Sequence, residues 1–273
     1  MKVSFVQMSP QILEVEMNVD RAIKFIEKVN CDLVVLPELF NTGYNFSNLN
    51  EVERVAERIP QGFTTSRLKE LSKERNMRLV AGIAERKGND FFNSAIYIDS
   101  DFVGVYRKVH LFYKEKKFFQ SGQEFSVFSG IGIMICFDWI FPEVSRILTL
   151  KGAKLICHPS NLVLPYCPEA MKVRSIENGI FTITADRVGE ERGLKFIGLS
   201  QITDPKGKVL YRASEDEEEV HIQEIDLKKA QDKNITELNH LLKDRRGELY
   251  RDLTASPSPG VSNNSLKFTQ KRF

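Results

Sequence analysis

The stretch Ile131-Gly132-Ile133-Met134-Ile135-Cys136-Phe137-Asp138-Trp139-Ile140-Phe141-Pro142-Glu143 decides how this chain is read. Its first half is a continuous apolar run, the pattern of a strand buried on both faces. Pro142-Glu143 opens a helix, because proline loses nothing at the first helical position and a carboxylate there suits the helix dipole. A buried strand leading into a helix is a unit of an α/β protein. Cys136 falls where the strand gives way. A thiol at that point can face a cleft, and helix N-terminal amides can favour its thiolate. The position suggests a nucleophile.

Two other polar residues occupy equivalent strand ends. Asp32-Leu33-Val34-Val35-Leu36 is a short apolar run stopped by Pro37, which cannot donate to a sheet ladder, so Glu38 sits just beyond a strand. Phe102-Val103-Gly104-Val105-Tyr106 alternates towards Arg107-Lys108, which places Lys108 near another. Ligands in α/β sheets gather at the carboxyl ends of strands. A thiolate attacks a carbonyl or nitrile carbon, a carboxylate carries protons, and an ammonium with a backbone N–H such as that of Phe137 stabilises an oxyanion. Together these describe acyl transfer to water through a thioester. Histidine is the commoner partner of a catalytic cysteine, and spacing leaves a pairing of Cys136 with His110 or His158 open.

Glu38 in LVVLPELFNTGYNF, Lys108 in YRKVHLFYKEKKFFQSG and Cys136 in IGIMICFDWIFPE resemble, in order and separation, the three motifs of the nitrilase superfamily of carbon–nitrogen hydrolases. HPSNLVLPY (158–166), ADRVGEERG (185–193) and KDRRGELY (243–250) extend the resemblance over roughly residues 2–251. It implies a four-layer α-β-β-α sandwich and a Glu38–Lys108–Cys136 triad, with Glu38 as general base and acid, Lys108 as oxyanion stabiliser and Cys136 as nucleophile. It also implies that Glu115 orients Lys108 and substrate, and that the chain forms a homodimer or higher homo-oligomer through helices close to Cys136. The form Cys-aromatic-Asp occurs in many amidase branches of the family and points to small amides. Small aliphatic nitriles are the alternative substrate, and a non-catalytic small-molecule-binding protein on the same fold is the rival. Phe137, Tyr44, Asn161 and Trp139 are candidate substrate contacts, with Asn45, Phe46, Phe112 and Tyr166 as further pocket candidates. By composition alone, Arg107-Lys108 is a solvated strand end and Lys114-Glu115-Lys116-Lys117 an exposed run.

The bulk properties agree with one large domain. The chain has 273 residues, 42% hydrophobic and 28% charged, enough for a substantial core. A net charge of +2 gives no electrostatic case for nucleic acid, and no apolar stretch approaches a membrane span. The strand-like start lacks a signal-peptide core, so a cytoplasmic protein is expected. Cys31, Cys136, Cys157 and Cys167 show no disulfide or Cys-x-x-Cys spacing. Cys31 and Cys157 read as buried small hydrophobes. The four histidines form no metal-binding cluster and there is no nucleotide-binding loop, so neither metal nor cofactor is expected. His110 and His158 read as hydrogen-bonded supports, and Arg187, Glu190, Glu191 and Arg192 as a salt-bridged loop.

Strands are predicted over 2–7, 32–36, 78–84, 93–98, 102–106, 131–136, 154–158, 180–185, 198–203, 208–212 and 219–225. Helices are predicted after an Asn18 cap, over 64–75 from a Thr-Thr cap, and over 142–151 and 168–178. A hairpin is predicted at Pro205–Lys208. Residues 1–253 read as a single domain. Residues 254–273, with Ser-Pro-Ser-Pro-Gly and no apolar pattern, read as a tail, flexible or docking on a dimer partner.

Overall fold

Side chains along a strand point alternately to opposite faces, and this alternation sorts the first half of the chain into two cores. The computed structural model describes residues 1–255. Strands β1 (Lys2–Gln7), β2 (Leu33–Val35), β3 (Arg78–Lys87), β4 (Asp90–Asp99) and β5 (Phe102–Arg107) lie side by side in that order. Val3, Phe5, Leu33, Val35, Val80, Ala95 and Tyr97 fall on one face. Val6, Val34, Leu79, Ala81, Ile83, Ile96 and Ile98 fall on the other.

The second half supplies β6 (Val127–Phe128), β7 (Ile131–Ile133), β8 (Leu155–Pro159), β9 (Phe181–Ala185), β10 (Glu190–Glu191), β11 (Leu194–Lys195), β12 (Gln201–Thr203), β13 (Val209–Arg212) and β14 (Glu219–Glu224). β14 returns to the first sheet, antiparallel to β1, completing six strands ordered β14-β1-β2-β3-β4-β5. The second sheet runs β13-β12-β9-β8-β7-β6, and β10 and β11 form a small hairpin. Ile131, Ile133, Leu155, Cys157, Phe181 and Ile183 share one core with the inner face of the first sheet. Helices α1 (Val15–Glu27) and α3 (Phe63–Arg75) close the outer face of the first sheet with Val19, Ala22, Ile26, Leu68 and Leu71. Helices α4 (Pro142–Leu150) and α5 (Cys167–Asn178) pack Val144, Leu148 and Met171 on the second. The result is the expected α-β-β-α sandwich. A short α2 (Leu49–Val55) lies between β2 and α3.

Several local expectations are corrected. Asn18 does not cap α1. It lies inside the helix, where its side chain bonds both the N–H and the carbonyl of Gln11 and the carbonyl of Asn41. The helix of the Thr-Thr pair is capped by Gly62, because the Thr64 N–H and hydroxyl both bond Glu57. α2, not among the predicted helices, starts with a capping pattern: Asn48 accepts from the Glu51 N–H while Glu51 accepts from the Ser47 N–H. The strand expected over 131–136 stops at Ile133, while the helix opens at Pro142 as expected. The strand expected from 198 begins at Gln201.

Residues 1–232 form one compact unit. Residues 233–255 belong to a second, with a bridge between Asn234 and His240 and two 3-10 turns, Gly247–Leu249 and Arg251–Thr254. From Ser256 onward the expected tail lies outside the described residues. Among the described residues no helix is long and apolar enough to cross a membrane.

Candidate active site

Glu38, Lys108 and Cys136 are each held by backbone just past a strand. Glu38 follows β2 and Pro37. β3 approaches it closely at Gly82, where an added Cβ would lie 2.5 Å from the Glu38 Cα and 2.8 Å from the Pro37 oxygen. Glycine is what permits that approach. Lys108 follows β5; its N–H donates to the Asn93 carbonyl on β4 and its carbonyl accepts from the Gly122 N–H, both at 2.8 Å. Glu115 sits in the 3-10 turn Tyr113–Lys117.

These residues meet in one buried ionic cluster. Lys108 Nζ lies 2.7 Å from Glu38 Oε1 and 2.8 Å from Glu115 Oε1. Asn93 Nδ2 also donates to Glu38 Oε1, at 2.7 Å, while Glu38 Oε2 has no hydrogen-bond partner among the described residues. Tyr44 Oη donates to Glu115 Oε1 at 2.7 Å, and the Phe112 N–H to Glu115 Oε2 at 3.2 Å. Glu38 and Lys108 are fully buried and Glu115 is 4% exposed, so the composition-based reading of a solvated Lys108 and an exposed Glu115 is corrected. Lysines 114, 116 and 117 stay outside while the same short turn folds Glu115 inward.

Burial sets the charge states. It pushes Glu38 up to about 7, with Lys108 opposing and Glu115 reinforcing the rise. Burial alone would strip the proton from Lys108, but Glu115 and Glu38 outweigh it and hold the ammonium above its usual range. Cys136, 6% exposed, is raised well above an ordinary thiol, mainly by burial and then by Glu38, with Lys108 opposing. The expected thiolate favoured by a helix N-terminus is therefore corrected: Cys136 rests as a neutral thiol on a 3-10 turn, Cys136–Ile140.

That turn is specific in shape. Cys136 has φ +39°, in the left-handed region that L side chains rarely adopt. Asp138, fully buried, accepts from the Ile135 N–H at 2.9 Å, the Tyr106 hydroxyl at 2.7 Å and the His110 N–H at 3.2 Å, and pairs with His110 Nδ1 at 2.7 Å. A side chain thus takes the backbone donor that a longer β7 would have used. Asn161, beyond β8, joins the thiol to the acid: Cys136 Sγ lies 3.7 Å from its carbonyl, and its Nδ2 donates to the Glu38 carbonyl at 2.9 Å.

Glu38, Lys108, Cys136, Glu115, Tyr44 and Asn161 are therefore brought together. Phe137 is half-buried beside Phe112 and Phe141, with ring centroids 5.0 and 5.5 Å away. Trp139 and Phe46 lie in the hydrophobic core, and Tyr166 is exposed. Asn45, with Tyr44, donates its N–H to Glu191, a buried carboxylate paired with the equally buried Arg187. Asn93 and the anchoring role of Asp138 were not read from the sequence. One asparagine at the start of an apolar strand carries no signal of its own.

The sequence matches the family described as carbon-nitrogen hydrolase over residues 2–234. The chain belongs to the carbon–nitrogen hydrolase family. A protein named nitrilase from Pyrococcus abyssi (strain GE5 / Orsay) is 53% identical over 258 residues, 91% of this chain and 98% of that relative. An (R)-stereoselective amidase from Pseudomonas sp. is 32% identical, over 94% of this chain and 96% of the relative. Among solved structures, a mutant of an amidase from Nesterenkonia sp. AN1 shows the result of Michael addition of acrylamide at its active site cysteine. It superposes with TM-score 0.74 at 25% identity, covering 93% of this chain and 99% of that one. As a member of the carbon–nitrogen hydrolases, the protein is a hydrolase with the two-sheet fold of that superfamily.

Proposed function

We propose that this hydrolase cleaves the carbon–nitrogen bond of a small amide through a thioester on Cys136, with Glu38 as proton carrier and Lys108 as fixed cation. The observation that carries the reading is the buried ammonium shared by two carboxylates, Lys108 Nζ at 2.7 and 2.8 Å from Glu38 and Glu115, within electrostatic reach of the Cys136 thiol. An ammonium wedged between two anions cannot act as a base. A carboxyl held at about 7 can both take and return a proton near neutral pH.

The steps follow from those states. Glu38, through the unpartnered Oε2, takes the thiol proton as sulfur bonds to the carbonyl carbon. The carbonyl π pair moves onto oxygen, which faces Lys108 Nζ and the Phe137 N–H. Collapse breaks the carbon–nitrogen bond, and Glu38 returns its proton to the departing nitrogen, releasing ammonia or an amine. Glu38 then takes a proton from water, the resulting hydroxide attacks the thioester, and the sulfur leaves and recovers the proton. Glu115 and Tyr44 hold Lys108 throughout, and Asn161 keeps thiol and acid in register.

The same groups serve a nitrile, whose carbon the sulfur attacks to give a thioimidate; the name of the Pyrococcus relative favours that second reading. Ammonia release from a panel of small amides, ω-amides, carbamoyl amines and nitriles decides between them. Amides are expected to show the higher kcat/KM. Release from nitriles alone contradicts the amide reading, and no release from any compound supports a binding protein instead.

The reading includes a homodimer through α4 and α5. Val173 and Ile176 on α5 are 50% and 52% exposed, and Ile140 just before α4 and Leu150 at its end are 42% and 50% exposed, which is apolar surface of the kind subunit contacts bury. Sedimentation at micromolar concentration is expected to give twice the chain mass. A fully active species at 31.3 kDa contradicts it.

A further inference from the structure

A backbone N–H points only where its peptide plane points. In a trans peptide the carbonyl and the N–H stand on opposite edges of that plane, so whatever holds the Cys136 carbonyl aims the Phe137 N–H. His158 holds it: Nε2 lies 2.8 Å from the Cys136 oxygen. The Phe137 N–H itself has no acceptor among the described residues. We propose that His158 is the positioning residue of the oxyanion site, its imidazole anchoring the Cys136–Phe137 peptide so that the Phe137 N–H faces the reacting carbonyl oxygen. The inference rests on the reading of Cys136 as nucleophile and adds the residue that orients its oxyanion donor.

The hydrogen-bond partners fix the tautomer. A carbonyl can only accept, so Nε2 carries the hydrogen. Nδ1 then accepts, and the hydroxyls of Thr184 at 3.1 Å and Ser160 at 3.3 Å stand ready to donate. His158 and Thr184 are register partners in the parallel pair β8–β9, inside the second sheet, so the imidazole is braced by a rigid element. It is fully buried, and burial holds it down to about 4, neutral at working pH. Both ring nitrogens are engaged and neither bonds the thiol, which answers the Cys–His pairing left open by the sequence. His158 reaches the backbone of Cys136, not its sulfur.

The turn needs such a brace. Cys136 sits at φ +39°, which costs backbone energy and persists only when the surroundings impose it. Hydrogen bonds of a 3-10 turn are poorly aligned and hold a peptide plane loosely. Asp138 fixes the turn from the Ile135 side and His158 from the Cys136 side, which leaves one donor unspent and aimed away from His158.

Two reagents for the same thiol separate this role from general support. Propionaldehyde adds to Cys136 as a thiohemiacetal: a carbon–sulfur bond forms, the thiol proton passes to the former carbonyl oxygen, and that oxygen occupies the oxyanion site. Methyl methanethiosulfonate forms a disulfide with loss of methanesulfinate and has no carbonyl. The full-length wild type, His158→Phe, His158→Gln and Thr184→Val are compared, with adduct affinity read by NMR of [1-13C]propionaldehyde and disulfide formation read by mass on the Cys136 peptide. His158→Phe is expected to weaken the aldehyde adduct about 10–100-fold, part of the worth of one oxyanion donor. Its disulfide rate should stay near wild type. His158→Gln, whose amide N–H can replace Nε2–H, should recover most of the affinity. Thr184→Val, which removes one of the two hydroxyls beside Nδ1 and leaves that of Ser160 at 3.3 Å, should show a smaller loss of the same selective kind.

Wild-type aldehyde affinity in His158→Phe and Thr184→Val overturns the inference, and so does an equal fall in both reactions. If His158→Phe does not fold, Thr184→Val decides alone. A wild type that forms neither adduct on Cys136 refutes the nucleophile reading and this inference with it. A wild type that forms both, with variants indifferent to the aldehyde, refutes the role of His158 only.

Discussion

Cys136→Ala is expected to cut turnover by about 10⁴–10⁶-fold, the scale on which removal of a nucleophile leaves only binding and oxyanion stabilisation. The physical reason is the loss of the covalent route, not of the fold. The thiol makes one weak contact, 3.7 Å to the Asn161 carbonyl, and alanine keeps the Cβ on the turn. The melting temperature should therefore move by only a few degrees. Ammonia release, with circular dichroism as the folding check, measures the effect. Turnover within tenfold of wild type removes Cys136 from the mechanism.

Glu38→Gln is expected to lower kcat by about 10²–10⁴-fold, because the amide keeps the volume and can still accept from Lys108 and Asn93 but cannot carry a proton. Glu115→Gln should cost about 10–100-fold, by analogy with groups that orient a reacting residue without touching the reaction. Glu38 also sets a pH dependence. Its carboxyl is raised to about 7, mainly by burial, and the ionised form is the active one. Protonation on going below that pH removes the base, so kcat/KM should fall tenfold per unit on the acid side and level off above it. Lys108 and Cys136 are both held above their usual ranges, so neither changes state in that window. The residual activity of Glu38→Gln should lack this acid limb. If Glu38→Gln works near the wild-type rate while Glu115→Gln is inactive, the two carboxylates are assigned the wrong way round.

The parts of this site that follow strand ends were legible, and the parts defined by side-chain geometry were not. Pro37 stops one apolar run and marks Glu38, and the run before Lys108 ends as plainly, because burial on a sheet writes itself into consecutive residues. Alternation along β1 to β4 separates the two cores in the structure, whereas the sandwich itself was expected from the family resemblance. The burial of Glu115 left no such trace. One carboxylate in Lys114-Glu115-Lys116-Lys117 turns inward through a 3-10 turn with no amphipathic period to announce it. The end of β7 was misplaced because Asp138, three residues on, takes the Ile135 N–H, a competition that hydrophobic periodicity does not register. Asn18 was mistaken for a cap for the complementary reason: its residue type suits caps, but the loops around Gln11 and Asn41 offered it better partners. Asn93 reaches Glu38 through one hydrogen bond that only the fold brings together, and His158, legible as a hydrogen-bonded support, has a partner, the Cys136 carbonyl, that only the fold identifies.

The central claim is that substrate carbon becomes bonded to the sulfur of Cys136. Rapid acid quench of the wild-type enzyme during turnover of its best amide, followed by intact mass and peptide mapping, tests it most directly. The account predicts a mass increase equal to the acyl group, confined to the peptide containing Cys136, formed and lost at rates that match turnover, and missing in Cys136→Ala. Steady turnover with no acylated Cys136 peptide, or an acyl group on Cys31, Cys157 or Cys167 instead, contradicts it.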